Sequence, residues 1–68
     1  MNNDLKLKIE INPYDIAFFT KIFEGYDGLA VVSTINPKEG LIILTVTSET
    51  KNDVIEILNN FPKKINFK

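Results

Sequence analysis

Leu29-Ala30-Val31-Val32-Ser33-Thr34-Ile35-Asn36-Pro37-Lys38-Glu39-Gly40-Leu41-Ile42-Ile43-Leu44-Thr45-Val46-Thr47 is the stretch whose reading decides the fold. Two runs rich in β-branched residues flank a polar break, which predicts two strands and a turn. Pro37 presets φ for a right-handed turn, and Gly40 can take the left-handed conformation that closes a four-residue loop. This turn pairs Asn36 with Leu41, and Ile35 with Ile42. The register sets Leu29, Val31, Ser33 and Ile35 on the face of Ile42, Leu44 and Val46. The other face carries Ala30, Val32, Thr34, Leu41, Ile43, Thr45 and Thr47. A slip of one residue would exchange the two sets on one arm. The first set has the larger side chains and is expected to face the core. The second is far from polar, so both arms look partly buried on both sides.

Working outward, Leu5-Lys6-Leu7-Lys8-Ile9-Glu10-Ile11 alternates without a break. Leu5, Leu7, Ile9 and Ile11 face a core and Lys6, Lys8 and Glu10 face away, the signature of a half-buried strand. Asn12-Pro13-Tyr14-Asp15 then predicts a helix start, with Asn12 as cap, Pro13 at the first helical position and Asp15 at the positive end. Ile16, Phe19, Ile22 and Phe23 form its apolar stripe, with Tyr14 and Phe18 on the flank. Gly25 follows the last periodic residue as a helix terminator. Beyond the hairpin, Thr50 with Asp53 reads as a capping-box variant, with Ser48 a competing cap. Val54, Ile57, Leu58 and Phe61 make a second apolar stripe that Pro62 ends. Lys63-Lys64-Ile65-Asn66-Phe67-Lys68 fits a short final strand with Ile65 and Phe67 inward and lysines suited to an edge.

The expected order is strand, helix, strand, strand, helix, strand (βαββαβ) in a single domain, residues 1–68. With right-handed crossovers this gives an α+β, ferredoxin-like two-layer sandwich with antiparallel sheet order 4-1-3-2 and both helices on one face. The leftover apolar set, Ala30, Val32, Leu41 and Ile43, then falls on the bare sheet face and is expected to be a contact surface.

Sixty-eight residues support only a modest core, worth about 3–5 kcal/mol without help. Cys and His are both absent. Disulfides are therefore excluded, and transition-metal sites and Cys–His or Ser–His nucleophilic catalysis are not expected. Self-association, as a homodimer, is the remaining support. With eight Lys, no Arg, nine acids and a net charge of −1, no strong field points to nucleic acid or an anionic membrane. No apolar run is long enough to span a membrane, and Met1-Asn2-Asn3-Asp4 lacks the basic and apolar regions of a signal peptide, so a cytoplasmic location is expected. Base-stacking RNA readout needs aromatics on the two central strands, and Leu5–Ile11 and Leu41–Thr47 have none. The acids, lysines and tyrosines show no catalytic constellation. No enzyme activity, cofactor or metal is expected.

Two loop ends are candidate sites. One gathers Asn12, Pro13, Tyr14, Lys38, Lys63 and Lys64, where the lysines lie near a helix N-terminus and could hold a small anion; a solvated basic rim is the plainer account. The other gathers Asp4, Glu24, Tyr26, Asp27, Glu49 and Asp53, which could attract a cation; helix-end and turn chemistry is again the plainer account. The turn Gly25-Tyr26-Asp27-Gly28 is the candidate functional loop there.

The layout resembles ACT domains, small plaits that bind amino acids, usually at a dimer interface within regulated enzymes. Such domains carry a Gly in the loop after the first strand, where this chain has Asn12-Pro13. Glu24-Gly25-Tyr26-Asp27-Gly28-Leu29-Ala30-Val31-Val32, followed by Asn36-Pro37-Lys38-Glu39-Gly40, is similar to a family of free-standing bacterial proteins of about this length, known only as a domain of unknown function. The leftover apolar strand face and the absence of catalytic residues, set beside the ACT-like layout, lead to the expectation of a self-associating module that binds a small amino-acid-like ligand or a protein partner. The alternative is a nucleic-acid accessory protein using Lys6, Lys8, Lys38, Lys63 and Lys64 electrostatically.

Overall fold

A computed structural model describes residues 4–26 and 28–68. Its elements are β1 (Leu5–Ile11), a 3-10 turn (Pro13–Asp15), α1 (Ile16–Glu24), β2 (Val31–Asn36), β3 (Leu41–Val46), α2 (Lys51–Asn59) and β4 (Ile65–Phe67). The strands form one antiparallel sheet in the order β2-β3-β1-β4, which is 4-1-3-2 read from the opposite edge. The domain is thus α+β, with four strands and two helices.

The alternation in β1 is realised in three dimensions. Ile9 pairs with Ile42, and Leu7 with Leu44, so the apolar residues of both strands share one face. Ile9, Ile11, Ile42, Leu44 and Val46 are buried there with Phe19 and Phe23 of α1 and Val54 and Leu58 of α2. Because both helices feed this one cluster, both cover the same side of the sheet. Lys6, Lys8 and Glu10 pair with Thr45, Ile43 and Leu41 on the reverse side.

The hairpin differs from the sequence expectation in its register. Asn36 does pair with Leu41, but Thr34, not Ile35, pairs with Ile42. Ile35 is the extra residue of a β-bulge, and the faces of β2 upstream of it are exchanged. Val32 lies opposite Leu44 and, with Ala30 and Leu29, packs against the core. Val31 is 65% exposed and Ile35 50%. The turn explains where the extra residue goes. The Asn36 side-chain oxygen accepts hydrogen bonds from the backbone N–H groups of Lys38 (3.0 Å) and Glu39 (3.2 Å), which pins the Asn36–Leu41 pair. The register adjustment is therefore absorbed upstream of the turn.

Gly40 closes this turn at φ +74°, as its position predicts, and it is buried. Its carbonyl accepts a hydrogen bond from the Ile11 N–H at 2.9 Å, so the hairpin tip is tied to the end of β1. Gly25 ends α1 with right-handed φ (−76°), and the left-handed conformation falls instead at Gly28, φ +81°.

The caps are built from small polar side chains. Asn12 accepts from the Tyr14 N–H at 2.9 Å, and Pro13 opens the 3-10 turn that leads into α1. Tyr14 is 94% exposed and takes no part in the flank of the apolar stripe. Asn12→Ala is expected to cost about 1 kcal/mol, read as a melting temperature lower by about 4–8 °C. At α2 the reciprocal box involves Thr47 and Thr50, not Thr50 and Asp53. The Thr47 N–H donates to Thr50 Oγ1 (3.0 Å) and the Thr50 N–H donates to Thr47 Oγ1 (3.2 Å). The expected capping box is displaced because the Thr50 hydroxyl is engaged backward by Thr47. Asp53 is left on the surface of the first helical turn.

β4 pairs with β1 over three residues. Ile65 packs against the core as expected; Phe67, opposite Ile9, is on the core side but 52% exposed.

Candidate functional site

Three surfaces of the described residues bear on function. The first is the uncovered side of the sheet. Leu41 and Ile43 lie on it as expected, half-buried among their neighbours. Ala30 and Val32 do not, since the bulge turns them inward; Val31 takes their place on β2, and Ile35, unpaired in the bulge, is exposed. Lys6 and Lys8 border this patch along β1. The sequence could have revealed the exchange only through a signal for the bulge, and Ile35 carries none.

The second is a cleft of about 360 Å³ at the end of the sheet where β1 finishes. Asn12, Pro13 and Lys64 line it, whereas Tyr14, Lys38 and Lys63 do not. Glu10, Asp15 and Glu39 also line it, so carboxylates outnumber the lysine. Glu10 is joined to Lys68 by an ion pair of 3.1 Å, and the Asn12 side chain is engaged with Tyr14. The anion site expected from the lysines is thus not assembled as a group. Three separate segments supply the carboxylates, and only folding brings them together.

The third is a groove of about 500 Å³ on the helical side, between α2, from its first turn to the residues just after it, and the segment leaving α1. Ile22, Leu29, Ile57 and Phe61 give it apolar walls, Tyr26 stands at one side, and Asp53, Glu56 and Asn60 lie along one face of α2. No lysine lines it. In the sequence Ile57 and Phe61 read as core and Asp53 as a cap. The signal for the groove was the spacing of Asp53, Glu56, Ile57 and Asn60, which places them on one helical surface. Asp27, of the candidate loop Gly25-Tyr26-Asp27-Gly28, lies outside the described residues. Among the described residues no group of three or more acidic side chains could hold a metal ion, and no helix is long and apolar enough to cross a membrane.

Fold and surfaces together define a small two-layer α+β domain with helices on one side of the sheet and a bare face on the other. The chain belongs to the DUF4911 family, a domain of unknown function, whose model matches residues 9–65, from the buried half of β1 to the first residue of β4. No curated protein and no solved structure matches the chain.

Proposed function

We propose that this domain is a ferredoxin-like, ACT-like plait that works as a non-enzymatic interaction module in the cytoplasm, self-associating as a homodimer through its uncovered sheet face. The observation that carries this reading is the patch formed by Val31, Leu41 and Ile43 on the side of the sheet opposite both helices. Contiguous apolar surface of this kind is what a partner covers. A residue set without His, Cys or Arg supports a binding role over a catalytic one. A protein partner on the same face, or an amino-acid-like ligand held between two copies, would make the module regulatory.

The size of the face sets the strength. Four strands spaced about 4.8 Å apart and six residues rising about 3.3 Å each give roughly 400 Å² in projection. A standard interface buries roughly 800 Å² per partner, so association in the micromolar range is expected. Light scattering at tens of micromolar should report a dimer, and Ile43→Lys should return it to monomer, with its circular dichroism spectrum kept and a melting temperature that no longer rises with concentration. A strict monomer at that concentration would overturn the reading. Lys6 and Lys8 beside Thr45 and Ile43 favour a second reading, a nucleic-acid accessory surface on this face. Salt-dependent RNA or DNA binding by a monomer would replace the first reading with this one.

A further inference from the structure

We propose that the groove between α2 and the segment leaving α1 binds a small organic cation, an ammonium carried on an apolar or aromatic body. The site lies on the side of the domain opposite the proposed dimer face and does not depend on it. Its volume, about 500 Å³, falls within the range of small-molecule sites, as does its make-up of apolar walls with a few polar groups. Ile22, Leu29, Ile57 and Phe61 would take the apolar body.

The charge of the occupant follows from the polar groups. Asp53 and Glu56 are the charged residues of the lining, both acidic, three positions apart on α2. Neither has an ion-pair partner among the described residues, where Glu10 is the carboxylate that does. Asp53 is also free of the capping duty its position suggested, because Thr47 and Thr50 satisfy each other. A carboxylate at that position suits the positive end of α2 in any case, but Glu56 lies a turn further on, where that rationale has faded. An inorganic cation is a poor match, since two carboxylates beside apolar walls leave most of its coordination shell unfilled. An organic ammonium satisfies both parts of the groove at once, and Tyr26 and Phe61 add aromatic rings suited to a cation.

A second copy is the wrong occupant. Lys6 and Lys8 lie on the sheet face, so seating them in the groove of another molecule would be a heterologous contact, which builds rings or filaments and not a two-fold pair.

Tryptamine is a suitable probe, because the chain has no Trp and indole fluorescence therefore reports the ligand alone. Indole-3-propionate has a similar body with a carboxylate in place of the ammonium. At low salt tryptamine should bind saturably and about tenfold or more tighter than indole-3-propionate, with the preference fading as salt is added. In amide NMR spectra its shifts should centre on Ile22, Leu29, Ile57 and Asn60, and spare Lys8 and Ile43. Asp53→Asn and Glu56→Gln, both at exposed positions, should each weaken tryptamine several-fold; Glu56→Gln should keep the parent's melting temperature, and Asp53→Asn should lower it by a few degrees at most. Equal binding of the two probes, shifts centred on the sheet face, or no saturable binding at millimolar concentration would each overturn the proposal. Light scattering on the same samples reads self-association separately, so failure of one reading is distinguishable from failure of the other.

Discussion

Gly40→Ala is expected to leave the chain unfolded. A Cβ added at Gly40 would stand 1.7 Å from the Ile11 carbonyl oxygen and 2.9 Å from its carbonyl carbon. Both are backbone atoms of a central strand, so no rotamer change can relieve the overlap. The residue is also at φ +74°, where a side chain adds its own strain. Moving β1 away would break the Ile11–Gly40 hydrogen bond and disturb the pairing of Glu10 with Leu41. A cost above about 4 kcal/mol, in the exceptional class for one substitution, meets a total stability of about 3–5 kcal/mol for a domain of this size. Gly28→Ala is the matched comparison. Gly28 has φ +81° but nothing among the described residues within 4 Å of the added carbon, so only the backbone strain applies, about 1–2 kcal/mol. Circular dichroism and thermal melting should show Gly28→Ala folded with a lowered midpoint and Gly40→Ala without a transition. Equal midpoints for the two would show that the close approach to Ile11 is not made in solution.

The second large effect is expected at Phe19. Its side chain is wholly buried, and its ring centroid lies 4.9 Å from that of Phe23 and 5.2 Å from that of Phe61. Phe61 follows the end of α2, so Phe19 joins the two helices over the sheet. Phe19→Ala removes the transfer energy of the ring, leaves a cavity, and takes away two aromatic contacts, together about 3–5 kcal/mol. Phe18, one position away, is 44% exposed, and among the described aromatic rings it pairs with Phe61, centroid to centroid 5.7 Å. Phe18→Ala should therefore cost only about 1 kcal/mol. Urea denaturation should place Phe18→Ala near the parent and Phe19→Ala far below it. Similar midpoints would mean that the core is not organised around Phe19.

This contrast was legible in the sequence, because the 3.6-residue spacing of Ile16, Phe19 and Phe23 separates Phe19 from Phe18. The inward faces of β1 and β3 were legible too, through the strict alternation of β1 and the large residues Ile42 and Leu44. β2 was not. Ala30, Val32 and Thr34 are as acceptable inside as Val31, Ser33 and Ile35, so hydrophobicity could not choose between its faces. A bulge is a property of how two strands meet, and Ile35 looks like any other strand residue. The surfaces suffered in proportion. The patch on the sheet was found at Leu41 and Ile43, which rest on the well-read strand, and missed at Val31, which rests on the other. The groove was hidden for another reason. Its walls come from residues that periodicity assigns to the core, and its openness depends on how far apart α2 and the end of α1 sit.

The bulge also governs how the protein resists aggregation. β2 is a free edge of the sheet, and Val31-Val32-Ser33-Thr34-Ile35-Asn36 contains neither charge nor proline, the usual guards against amyloid-like stacking. Ile35 interrupts the regular row of edge amides and carbonyls before the strand ends, leaving an incoming chain a short template. Deleting that single residue is expected to lengthen the regular edge and raise aggregation on heating, read as light scattering.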